Sequence, residues 1–66
     1  MSKHDYMVSR QLDAELQVPF YAIIMLAMRR ADTANLAMLK ASWPRVWGEL
    51  EARYNAPGGL LPDEPA

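Results

Sequence analysis

The chain has 66 residues, 52% of them apolar, with seven basic and eight acidic side chains and a formal net charge of -1. That length allows one domain with a small interior; the lack of cysteine excludes a disulfide, and a single histidine without a thiol excludes a closed tetrahedral zinc site. The near-neutral balance argues against a duplex nucleic acid partner, which needs a concentrated basic face.

The first element is predicted from about His4 to Leu16. Ser2 stands three residues before Asp5, the spacing of a side-chain cap followed by an acidic first turn. Val8, Leu12 and Leu16 recur every four residues and make one apolar stripe, with Tyr6 and Met7 beside it. Pro19 disfavours helical geometry at Val18 and marks the break.

A second helix is predicted from Pro19 to about Ala31, since proline suits the first helical turn. Val18 to Met28 (VPFYAIIMLAM) holds no charge, so three turns carry apolar side chains all round. A helix of this kind is central in a large protein, inside a membrane, or packed on several sides by partners. Eleven residues are too few for a bilayer, which takes about 20. The chain is also too short to surround the segment alone. Burial against a second subunit is the reading that remains, and small domains without a disulfide or metal commonly rely on self-association.

Arg29 and Arg30 close this helix, where cations favour the negative end of the dipole. Asp32 and Thr33 are placed to cap a third helix over about Thr33 to Ala41; one helix kinked through Ala31-Asp32 is the alternative. Leu36, Leu39 and Trp43 form its face, with Ala34, Ala37, Met38 and Ala41 allowing close approach. Pro44 opens a fourth helix, in which Val46, Trp47, Leu50 and Tyr54 share one stripe. Asn55 and the Ala56-Pro57-Gly58-Gly59 run end it. The expected architecture is all-α: a small bundle of three to four short helices over residues 1–57, oligomeric, followed by a flexible acidic tail over residues 58–66. Leu60 and Leu61 are the tail residues suited to docking on the bundle.

No catalytic inventory is present. His4 lies in the first turn of a terminal helix, and Asp13 with Glu15, like Glu49 with Glu51, are two apart and so face different ways. A non-enzymatic protein is expected, without cofactor or metal. The Thr33–Ala41 helix presents Ala, Leu and Met rather than groove-reading polar groups, which argues against a helix-turn-helix. Two sets of contact residues stand out. Tyr21, Arg29, Arg30 and Lys40 combine an aromatic ring with forked and point cations, a chemistry for holding a small anionic ligand such as a nucleotide. Phe20, Ile23, Ile24, Met28, Trp43, Trp47 and Tyr54 are candidates for an oligomer or partner-protein interface, and the five methionines permit adaptable packing.

The stretches PFYAIIMLAMRRADTANL and WPRVWGELEARYNAPGG and the LLP that follows resemble short open reading frames of bacteriophages and integrated mobile elements. The likeness runs from Pro19 to Pro62, about two-thirds of the chain. It implies a phage-type accessory protein that acts stoichiometrically, inhibiting or adapting a host protein, with a counter-defence role among the options. An oligomeric sponge for a nucleotide-type signal and a structural virion or assembly component are the alternative readings. The opening residues lack the charged and apolar regions of a secretion signal. The expected location is the host cytoplasm, without membrane insertion.

Overall fold

The computed structural model describes residues 2–65 and consists of four α-helices and one short 3-10 turn, with no strand among those residues. The helices are α1 (Lys3–Glu15), α2 (Phe20–Arg30), α3 (Thr33–Ser42) and α4 (Pro44–Asn55), followed by the turn Pro57–Gly59.

Each boundary has a local cause. At α1, the Ser2 hydroxyl accepts from the Asp5 backbone N–H at 3.1 Å, and the Asp5 carboxylate accepts from the Ser2 N–H at 3.1 Å, a reciprocal capping box. Pro19 stands just before α2, not inside it, and its carbonyl accepts from Ala22 and Ile23. Helices α2 and α3 are separate: Ala31 and Asp32 are extended, and the Asp32 carboxylate accepts from the Asn35 N–H at 2.8 Å. One residue, Trp43, divides α3 from α4. Pro44 has no N–H to give and pushes the residue before it out of helical geometry, so the chain turns there with no loop at all.

Helices α2, α3 and α4 pack on one another, and α1 packs on none of them. The bundle expected from four helices is therefore a three-helix cluster with a projecting arm. Its core is Ile24 and Met28 from α2 and Leu50 from α4, which keep 9%, 3% and 7% of their exposure. Met25, Leu36, Leu39, Trp43, Val46 and Trp47 pack around these three while half-buried. Ile24 and Met28, read from sequence as interface candidates, are thus filled by the chain's own core: they sit on the stripe of α2 that meets α4. Helix α1 buries nothing.

The molecule is correspondingly open. Its radius of gyration is 14.1 Å, against about 11 Å for a compact domain of this length. Its surface is 5812 Å², against about 4,200 Å² for a compact monomer of its mass. Most of the apolar surplus lies on α1 and the far side of α2, where Leu12, Leu16, Val18, Phe20, Tyr21, Ile23 and Leu26 are exposed.

Beyond α4 the chain turns through Gly58 and Gly59 at φ of 63° and 70°, a left-handed geometry that favours glycine. The turn brings residues 60–64 back along α4. There the Arg53 guanidinium donates to both Glu64 carboxylate oxygens, at 2.8 and 2.7 Å, and to the Gly59 carbonyl at 2.8 Å. The Leu61 N–H donates to Glu64 as well, at 2.8 Å. This clamp places residues 58–64, part of the acidic tail expected over residues 58–66, against α4. The Arg53 hydrogen bonds, then the Leu61 N–H, hold the Glu64 carboxyl at about 2, below its ordinary 4.5.

Three tests follow from the packing. Ile24→Asp places a carboxylate among Met28 and Leu50 and is expected to abolish helical circular dichroism at every concentration, not merely to split an assembly. Leu50→Ala is expected to cost about 2–4 kcal/mol, most of what a domain this small holds in reserve; urea titration measures it. Gly48 lies inside α4 with nothing within 4 Å of where a Cβ would stand, so Gly48→Ala should gain about 0.5–1 kcal/mol in the same titration.

The clamp has its own test. A carboxyl with a lowered folded-state value stabilises the docked tail fully above about 4.5, and that contribution fades as pH falls towards 2. Carboxyl-carbon NMR should find the Glu64 midpoint near 2, returning towards 4.5 in Arg53→Ala. An ordinary midpoint in the unmutated protein would mean the clamp does not form.

Candidate functional site

Helices α2 and α4 diverge at the end where α2 finishes, and a groove of about 410 Å³ opens between them. Its floor is the edge of the core, Met28 and Leu50. Trp47 and Tyr54 stand along one side, one turn before and one turn after Leu50 on the α4 stripe, and Arg29, Glu51 and Asn55 complete the lining. The helical period sets this arrangement: Trp47, Leu50, Glu51 and Tyr54 are spaced three and four apart and so share a face. The lining is largely apolar and its charges lie at the margin.

Tyr54 is the most exposed large apolar side chain described, at 77%. A ring held on a helix yet left in water contributes little to the fold and loses little side-chain entropy on being covered, the profile of a contact residue. Trp47 is half-buried and braced: the Lys40 ammonium lies 4.7 Å from its ring centroid, a cation–π contact. Arg29 and Arg30 form no ion pair among the described residues, where the two ion pairs found both belong to Arg53, with Glu49 and Glu64. Glu49, a candidate partner for the α2 cations, is drawn to Arg53 at 3.5 Å.

The four residues proposed to hold an anion do not converge on this groove. Arg29 alone lines it. Tyr21 is eight residues earlier on α2, about 12 Å along the axis, and packs edge-on against Phe20 with centroids 5.2 Å apart. Lys40 reaches Trp47 from α3, and Arg30 is exposed. Of the interface set, Met28, Trp47 and Tyr54 are brought together here. Phe20 meets Trp43 edge-on at 6.3 Å at the other end of α2, and Ile23 faces away towards α1. The groove also uses Leu50, Glu51 and Asn55, which were not singled out as site residues from sequence; the α4 stripe held Leu50, and Glu51 and Asn55 follow Trp47 at successive steps of four along its edge.

Among the described residues no three His, Asp or Glu side chains gather as metal ligands, and no helix is long and apolar enough to cross a membrane. No family model, curated protein or solved structure matches the chain. The site has to be read from its own chemistry.

Proposed function

We propose that this chain is a small stoichiometric binding protein, without catalytic activity, that captures an apolar segment of another protein in the α2–α4 groove. The observation that carries this reading is the pair Trp47 and Tyr54 over an apolar floor, with the Arg29 guanidinium, unpaired among the described residues, in the same lining. Aromatic side chains and arginine are the groups that most often dominate binding energy between proteins. A groove between two helices accepts a helical or extended segment that inserts one or two apolar anchors. The free cation favours a segment with a carboxylate beside its anchor, and Glu51 on the opposite margin orients it by repulsion.

The resemblance of residues 19–62 to short phage proteins supports placing the partner in a host cell, with inhibition or redirection of a host protein as the outcome. Single-site occupancy of a host protein is stoichiometric and needs no turnover.

Affinity capture from host lysate, followed by titration calorimetry with the captured protein, tests the proposal. Tyr54→Ala should weaken binding at least about tenfold, or roughly 1.4 kcal/mol. Arg29→Ala should weaken it less and flatten its dependence on salt. Either the absence of a saturable partner at micromolar bait or an unchanged affinity for Tyr54→Ala would falsify the assignment.

A further inference from the structure

Away from the groove, on the other side of α2, a second apolar cleft of about 520 Å³ opens in the angle between α1 and α2. Leu12 and Leu16 line it from the first helix, Val18 from the connection, and Ile23 and Leu26 from the second. All five are exposed in the single chain. Asp13 is the one charged residue in the lining.

Helix α1 cannot be explained by the single chain. It has 13 residues, a length at which an isolated helix is marginal in water. It buries no side chain and packs on no other helix, yet it has a complete capping box and an apolar stripe. Its stability has to come from a surface outside its own subunit. The surface of the molecule exceeds that of a compact monomer of its mass by roughly 1,600 Å². A standard stable interface buries about 800 Å² per partner and obligate dimers bury more, so the surplus has the size that an obligate dimer removes from each subunit.

From these observations we infer that a second copy of this chain occupies the cleft, with the α1 helices of the two copies running antiparallel across a two-fold axis. The cleft is made partly of α1 and lacks a covering helix, and α1 is a helix lacking a cover, so one surface supplies both needs. That is the requirement for an isologous contact. Antiparallel pairing centred on Leu12 sets the two Leu12 side chains against each other and Val8 of each copy against Leu16 of the other, all on one stripe. It also opposes the two helix dipoles. The four helices α1 and α2 of both copies then enclose an apolar seam, while the α2–α4 grooves stay open on the outside.

Sedimentation equilibrium at micromolar concentration reads this directly. The unmutated chain is expected at about 15 kDa, twice its 7.5 kDa mass. Leu12→Glu and Ile23→Glu alter exposed positions outside the three-residue core, and each should raise the dissociation constant at least about a hundredfold while near-ultraviolet dichroism of Trp43 and Trp47 persists. Tyr54→Ala, in the other groove, should leave the mass unchanged, so loss of the dimer and loss of partner binding are separable. A monomer at these concentrations, a mass of three or more chains, or a dimer indifferent to Leu12→Glu and Ile23→Glu would each overturn the inference.

Discussion

Among the described residues three side chains, Ile24, Met28 and Leu50, are all that is well buried, and the rest of the architecture follows from how few they are. They join α2 to α4, and α3 is held because it is attached to both without slack: Ala31-Asp32 on one side and the single residue Trp43 on the other. Such short connections cost little loop entropy, which lets a minimal core hold three helices. Conformational entropy grows with every ordered residue while buried area grows only with contacts. A fourth helix that makes no contact adds to the first without adding to the second. The projecting α1 is therefore the thermodynamic problem the molecule presents, and the dimer inferred from its cleft is the physical answer.

The α1–α2 cleft and the α2–α4 groove differ in a way that suits two tasks. The α1–α2 cleft is lined by aliphatic side chains with one carboxylate, a surface that gains by being dry and permanently covered. The α2–α4 groove is aromatic, edged by Arg29, Glu51 and Asn55, and can stand in water between encounters. Polar margins with aromatic anchors belong to contacts that form and break, because the uncovered state is not heavily penalised. Helix α2 serves both surfaces from opposite sides, with its core stripe between them. This gives physical content to an eleven-residue segment without a charge: one side faces the interior, one the cleft, and one end the groove.

Much of the local structure was legible. Ser2 with Asp5, Asp32 with Asn35, and Pro19 and Pro44 mark helix starts through hydrogen bonds and forbidden backbone geometry that act within four residues, so helix existence and order could be read to within a residue or two. The site was legible only in part. Trp47 and Tyr54 could be paired because a helix fixes their spacing, but Ile24 and Met28 were placed outward because periodicity ranks faces without saying which one finds a partner inside the chain. The Arg53–Glu64 clamp was invisible for a related reason: its residues are eleven apart and meet only because two glycines take left-handed geometry and reverse the chain.

By itself, then, the amino-acid order determined an all-helical chain with four segments, their caps, and more apolar surface than 66 residues can hide, since each of these depends on neighbours along the backbone or on composition alone. Tertiary structure alone decided which stripe of α2 becomes core, that α1 stands away from the other helices, and that Tyr21, Arg29, Arg30 and Lys40 do not share a pocket while Arg29, Trp47 and Tyr54 do. Those outcomes turn on the angles between helices. The angles are set by how a handful of side chains interlock across the core, a property of the packed whole that no window of sequence contains.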